Sequence, residues 1–146
     1  MDDDSGRFNS SRNGLALEIN MGMYTEILVK ASVDLDSISQ KNLSVIKYLF
    51  SDGEKPSEDA LPDHKFFTLP RWSLIGHCSS YYHHPVVINS MDEYGSIFSR
   101  SDIKNYDGEI EAFFDWFQTL ATKTEGECIG YYWYEECELP TLVVKE

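Results

Sequence analysis

Apolar side chains recur along the chain with two periods, one of two residues and one near 3.6. Residues 27–33 alternate apolar and polar positions, which predicts a strand with one buried face. Residues 37–50 carry an apolar stripe at helical spacing, preceded by Asp and Ser residues that can cap a helix. Strand character returns over residues 72–78 and again over residues 94–99, and Val86-Val87-Ile88 between them is a candidate for a short strand or a bulged edge. This part of the chain therefore predicts a strand, a helix and two further strands.

The second predicted helix has the strongest periodicity in the chain. Its apolar residues stand at positions i, i+3, i+4, i+7, i+10 and i+11: Ile110, Phe113, Phe114, Phe117, Leu120 and Ala121. A stripe this wide is typical of a helix that packs on a sheet. Residues 128–135 and 141–144 follow it as a predicted β-hairpin.

The resulting order, β-α-β-β-α-β-β, is that of a ferredoxin-like β-α-β-β-α-β arrangement with an extra C-terminal strand. We therefore predict an α+β two-layer sandwich, in which an antiparallel sheet carries two helices on one face. Residues 23–146 are predicted to form this single domain. Residues 1–22 are predicted to be a flexible acidic extension, because they follow neither period and are polar and charged.

The net charge of the chain limits the kinds of molecule that the protein is expected to bind. The 146 residues include 12 Lys and Arg against 25 Asp and Glu, which gives a net charge of −13. Nucleic acids and anionic lipids both attract basic surfaces, so neither direct nucleic-acid binding nor membrane binding is predicted. No apolar run approaches the roughly 18 residues of a membrane span, and the acidic N-terminus does not resemble a secretory signal. We expect a cytoplasmic protein.

No pattern for catalysis, cofactors or metals emerges from the sequence. Glycine-rich phosphate loops and nucleophile motifs are absent from it. The three cysteines, Cys78, Cys128 and Cys137, are widely spaced and do not suggest a disulfide framework, so we expect reduced thiols. Cys128 and Cys137 could face each other across a hairpin, but the expectation is that both are buried. The spacing of a recognised zinc site is also missing from the histidines, which are His64, His77, His83 and His84. We predict no catalytic residue, metal or cofactor, and hence a protein that is not an enzyme.

Acidic residues are concentrated in the last third of the chain. Glu111 and Asp115 lie one helical turn apart and repel each other, and the helix dipole does not explain Asp115. Such acid is commonly a solvated face, but uncompensated acid also imitates a phosphate backbone or docks on a basic groove. The candidate partner-binding residues are Glu109, Glu111, Asp115, Glu135, Glu136 and Glu138.

Aromatic residues suggest a second candidate surface. Alternate aromatic side chains occupy both faces of the predicted strand at 128–135, so one face would lie in the core and the other in an interface. The candidate interface or pocket residues are Trp72, Tyr81, Tyr82, Tyr132 and Tyr134. This set would serve a homodimer or, together with His83 and His84, a small-molecule site.

Several short motifs resemble a family of small uncharacterised phage and prophage proteins over residues 23–144. They are Met-Tyr-Thr-Glu at 23–26, Leu-Pro-Asp-His at 61–64, Ser-Ser-Tyr-Tyr at 79–82, Arg-Ser-Asp-Ile-Lys-Asn-Tyr at 100–106 with the helix at 109–116, Gly-Tyr-Tyr at 130–132 and Pro-Thr at 140–141. The resemblance implies a mobile-element origin and a setting in the host cytosol, and it transfers no catalytic residue.

Together, charge and resemblance lead us to expect a small acidic phage-type accessory protein. It would bind and inhibit a basic, nucleic-acid-handling host protein, such as a component of a defence system, through its acidic surface. Two alternatives stay open. One is a small-molecule-binding or enzyme domain that uses Trp72, Tyr81, His83 and His84, and the other is a self-associating virion or assembly protein.

Overall fold

The computed structural model describes residues 24–77 and 88–146, which contain five strands and two α-helices. The strands are β1 (Thr25–Ser32), β2 (Ile88–Met91), β3 (Ser96–Ile103), β4 (Cys128–Tyr134) and β5 (Thr141–Val144). The helices are α1 (Gln40–Phe50) and α2 (Glu109–Phe117). The predicted α+β class, with an antiparallel sheet and two helices, is confirmed at this level.

The sheet has the order β2-β3-β1-β4-β5, and every neighbouring pair is antiparallel. The central strand β1 alternates as the sequence predicts, burying Thr25, Ile27, Val29 and Ala31 on one face. That face belongs to the same core as both helices. The ring of Phe50 in α1 also lies 6.3 Å from the ring of Phe113 in α2, centroid to centroid, so the two helices share one interior.

The predicted strand over residues 72–78 is wrong. Trp72–Leu74 is a short 3₁₀ turn, and the second strand comes later, at Ile88–Met91. Trp72 and Ile75 are apolar because they pack in the core, where they are 6% and 1% exposed, and burial alone does not distinguish a strand from a turn. The second predicted strand is thus misplaced, the observed strand order is β2-β3-β1-β4-β5, and the exact ferredoxin-like topology is not confirmed.

The first helix begins at Gln40, three residues later than predicted. The carboxylate of Asp34 accepts a hydrogen bond from the backbone of Asp36 at 3.1 Å and so forms a turn instead of a helix cap. Ser39 is the true cap, since its hydroxyl accepts from the Asn42 amide at 3.2 Å.

A second aromatic layer comes from the connection between α1 and β2, which the sequence pattern does not reveal. Phe66 is completely buried and Phe67 is 8% exposed. Phe66 stacks on Trp116 of α2 with ring centroids 6.0 Å apart, and Phe67 meets the same indole edge-on at 5.0 Å. The segment is built of 3₁₀ turns, which are too short to show a sustained period.

The predicted extension at residues 1–22 lies outside the described residues. Of the helices that the structure describes, none has the length and apolar character needed to cross a bilayer.

Candidate functional site

Helix α2 presents an acidic stripe because the rest of its surface is buried. Within Glu109–Phe117, only Glu111 and Asp115 are exposed, while the other seven side chains are in the interior. These two residues are about 40° apart on the helical circumference, which places them on one face opposite the apolar stripe. All the solvent-facing side chains of this helix are therefore carboxylates.

Glu109, predicted to belong to the same surface, is an interior residue. Its side chain is 3% exposed and forms a bidentate pair with Arg71, with Nη2 to Oε2 at 2.6 Å and Nε to Oε1 at 3.3 Å. The Tyr106 amide also donates to Oε2 at 3.0 Å. Glu109 thus joins the α1–β2 connection to the start of α2, and it is removed from the candidate binding surface.

Asp115 has a structural partner that the sequence does not reveal. His64 Nε2 lies 3.0 Å from Asp115 Oδ2, and His64 Nδ1 accepts from the Phe66 amide at 3.0 Å. Because Nδ1 is an acceptor, the ring hydrogen is on Nε2 and is donated to Asp115. Lys65 Nζ lies 4.0 Å from the same carboxylate oxygen of Asp115. Asp115 nevertheless keeps 53% of its side chain exposed, so it remains part of the acidic stripe.

The same contacts limit the chemistry available to His64. Both of its ring nitrogens are engaged, one by a backbone amide and one by a carboxylate. A general base needs a ring nitrogen that faces a substrate proton. The His64–Asp115 pair is therefore a structural cap on the 3₁₀ turn at Lys65–Thr68.

The connection between β4 and β5 carries the other predicted acids. Glu135, Glu136 and Glu138 are all exposed there. Glu135 also accepts a hydrogen bond from the Tyr24 amide at 3.3 Å, which holds this connection beside the start of β1. Three carboxylates close together in the sequence give this end of the sheet a strongly negative potential.

A groove of about 280 Å³ runs between α2 and the edge strand β5. Phe114, Tyr132 and Val143 supply apolar surface to it, and the acids that line it are Glu111, Asp115 and Glu146. Sequence reasoning missed Glu146 and Val143, because their place in the groove depends on β5 lying at the sheet edge beside α2. The groove brings the acidic stripe of α2 and the final strand into one surface.

The predicted aromatic residues are distributed over separate places. Trp72 is only 6% exposed, since it packs against Tyr48, Phe66 and Phe67, and it is therefore not an open interface residue. Tyr132 is half-buried in the groove, where burial and the Glu111 carboxylate raise its pKa. Tyr134 is 39% exposed near the hairpin acids, and burial with Glu136 raises its pKa. Other predicted site residues lie outside the described residues: Tyr81, Tyr82, His83 and His84.

The prediction of buried cysteines is wrong for the two in the hairpin. Cys128 and Cys137 are both free and exposed. Cys128 begins β4 and Cys137 follows its end, so the strand of about 20 Å separates them and prevents a disulfide between them. Their exposure follows from the outer position of the hairpin in the sheet.

The face of the sheet opposite to the buried residues of β1 contains a charged network. Arg100 Nη2 lies 3.1 Å from Glu26 Oε1, and Arg100 Nη1 lies 3.7 Å from Asp102 Oδ2. The hydroxyl of Tyr131 donates to Glu26. Burial and this hydrogen bond raise the Tyr131 pKa to about 12.

We expect Tyr131 to titrate about two pH units above an ordinary tyrosine. The phenolate absorbance of the wild type minus that of Tyr131→Phe should isolate a step near pH 12. The raised pKa means that this group stabilises the fold below pH 10 and that the contribution is lost between pH 10 and 12. Glu26→Gln should lower the step toward pH 10. A Tyr131 step that stays near pH 10 in the wild type would contradict the network.

Among residues 24–77 and 88–146, no group of three or more His, Cys, Asp or Glu side chains is arranged to hold a metal ion.

The resemblance to small phage proteins stays a prediction. Comparisons with protein-family models, with curated proteins and with solved structures yield no match to this chain.

Proposed function

We propose that this protein is a small acidic accessory protein of phage type that binds a basic, nucleic-acid-handling host protein and inhibits it. The binding residues are the acidic surface, defined as Glu111, Asp115, Glu135, Glu136 and Glu138. The observation that carries the proposal is the composition of α2, whose exposed side chains are both carboxylates. The protein would act in the host cytosol. A component of a host defence system is one example of such a partner.

The acidic surface has the physical properties that a basic partner requires. A surface of one sign attracts an oppositely charged protein over several ångströms and raises the rate of association. Glu111 does little for the fold, since it lies one turn from Asp115, which carries a like charge. Asp115 is held by His64 yet remains half exposed, so it keeps a fixed position from which to meet an incoming cation.

A non-enzymatic role agrees with the chemistry of the described residues. His64 has both ring nitrogens engaged. Trp72, expected in a small-molecule site, faces the core, although it also borders a cleft of about 460 Å³. Two alternatives remain: a small-molecule-binding or enzyme domain, and a self-associating virion protein. The acidic surface favours a protein partner.

We also propose that β1 to β4 with the two helices form a ferredoxin-like unit to which β5 is added. Support comes from the antiparallel pairing of β1 with both β3 and β4, and from the position of each helix in the chain after one of the central strands. An experimental structure would test this assignment by the handedness of the two crossovers.

Charge reversal within the acidic surface is expected to weaken partner binding strongly, mainly by slowing association. Full-length protein would first capture its partner from host lysate, and mass spectrometry would identify it. Glu111→Lys/Glu136→Lys should then slow association with that partner at least tenfold, because rim charges act mainly on the association rate. Wild-type affinity should fall steeply with salt concentration. The unfolding free energy of the variant should stay unchanged or rise slightly, because a repulsion is removed.

The matched control is Glu93→Lys/Glu125→Lys, which changes the net charge equally at two exposed acids outside the acidic surface. This control should retain most of the association rate. Equal losses of association rate in both variants would show that net charge alone matters. Full binding by Glu111→Lys/Glu136→Lys would show that the acidic surface only solvates the protein.

A further inference from the structure

The outer edge of β5 is a backbone edge beside the groove. β5 ends the sheet order, and among the described residues its strand partner is β4 alone. An edge strand offers N–H and C=O groups to which an extended segment can add as another strand. The side chains of Leu142 and Val144 at this edge are apolar and are 64% and 45% exposed. An edge of this kind can pair with a further strand.

The lysine next to this edge does not guard it. Edge strands are commonly protected from pairing by lysine side chains. Here the Lys145 ammonium turns inward and donates to the carbonyl oxygens of Gln118 and Ala121, each at 2.7 Å. These oxygens belong to the end of α2 and the residues after it, where a cation is favoured. Lys145 therefore ties β5 to α2, and its ammonium is held at these carbonyl oxygens instead of projecting from the edge.

The two sides of the edge differ in chemistry. On the α2 side lie Glu111 and Asp115, and Glu146 follows the end of β5 at the same groove. Leu142 and Val144 border the groove at the strand edge, and their side chains share the opposite face of β5, because Leu142 pairs with Tyr131 and residues two apart in a strand share a face. Side chains of an added strand would alternate between these two environments. A segment that alternates basic and apolar residues matches both.

The charge of the groove argues against a second copy as the occupant. Edge-to-edge pairing of two β5 strands would bring two sets of these three acids together, in chains that each carry −13. Like charges that face each other across strands are destabilising. A basic segment, in contrast, would place cations against the same carboxylates.

We propose that the edge of β5 receives an extended basic segment of the partner as a sixth strand. Its Lys or Arg side chains point toward Glu111 and Glu146, and its apolar side chains cover Leu142 and Val144. β5 has four residues and is about 13 Å long, so a segment of roughly four to six residues would pair with it. This inference rests on the proposed function, to which it adds the kind of segment that is recognised.

The test uses full-length protein and an end-blocked eight-residue peptide in which Lys and Val alternate. Two further peptides have the same side chains, but either all lysine amides or all valine amides are N-methylated. Along a strand the amides point alternately to the two edges, so pairing through one edge uses one set only. We expect one methylated peptide to bind at least tenfold more weakly than the parent and the other to bind equally well. Amide exchange should slow at residues 141–144.

Protein variants separate this inference from the proposed function. Glu111→Gln/Glu146→Gln should weaken parent-peptide binding at least tenfold, whereas the control Glu93→Gln/Glu125→Gln should leave it unchanged. If both methylated peptides bind like the parent while the acid variant still loses affinity, strand addition is overturned and the acidic surface stands. If the acid variant binds the parent peptide normally, recognition of a basic segment at this groove is overturned, whereas the proposed function is decided by the host-partner test of Glu111→Lys/Glu136→Lys. The proposal of a sixth strand is overturned if the parent peptide does not bind. It is also overturned if the protein forms a dimer without peptide in which the β5 amides are protected from exchange.

Discussion

Replacing Phe113 with alanine is expected to lower the free energy of unfolding by about 3–5 kcal/mol, the range for buried aromatic truncations. Phe113 is completely buried, with its ring centroid 5.5 Å from that of Phe66 and 5.4 Å from that of Phe117. It therefore joins the core beneath the sheet to the aromatic layer of the α1–β2 connection. Removing the ring leaves a cavity that both layers border, and rigid neighbouring rings collapse into it poorly.

Urea unfolding followed by far-UV circular dichroism would measure this loss. Phe117→Ala should cost a similar amount, since that residue is also fully buried. Tyr94→Ala is the control, because Tyr94 is 78% exposed and its loss should change the unfolding free energy by less than about 0.5 kcal/mol. A change under about 1 kcal/mol for Phe113→Ala would mean that α2 is not packed on the core.

The second large effect is expected at the Arg71–Glu109 pair. Arg71→Ala would leave the Glu109 carboxylate buried without its guanidinium, and breaking a buried pair in this way costs about 3–5 kcal/mol. Because the Arg71 side chain is 30% exposed, water would enter and keep the loss near the lower end. The measured quantity is again the unfolding free energy in urea.

Two companion variants test the origin of that loss. Arg71→Lys keeps the positive charge but cannot form the bidentate contact, so an intermediate loss is expected. The double variant Arg71→Met/Glu109→Leu removes both charges and should be more stable than Arg71→Ala, since no buried charge remains. If Arg71→Ala unfolds with the wild-type free energy, Glu109 does not depend on this contact.

Position along α2 explains why two of its predicted surface acids are exposed and one is buried. Glu111 and Asp115 lie opposite the apolar stripe, so their exposure follows from the helical period alone. Glu109 lies at the flank of the stripe, where the period allows either environment. Its burial depends on Arg71, which is 38 residues earlier and reaches it only after the α1–β2 connection has folded.

Residues in irregular segments were predicted least well. Phe66, Phe67 and Trp72 form an interior layer from 3₁₀ turns, in which successive side chains follow no sustained period. The same lack of period explains the strand wrongly predicted at 72–78. The partnership of His64 with Asp115 is equally hidden, since it joins residues 51 positions apart.

Patterns along the sequence are enough to predict the class of this fold, the buried face of β1, the apolar stripe of α2 and the negative character of the chain. These features follow from local periods and from composition, which do not depend on distant contacts. Three features are visible only in the folded chain: Glu109 is interior, Lys145 ties β5 to α2, and β5 is a sheet edge beside an acidic groove. Each of these depends on which distant segments meet, and pairing between segments is set by the packing of the whole core, not by local preference.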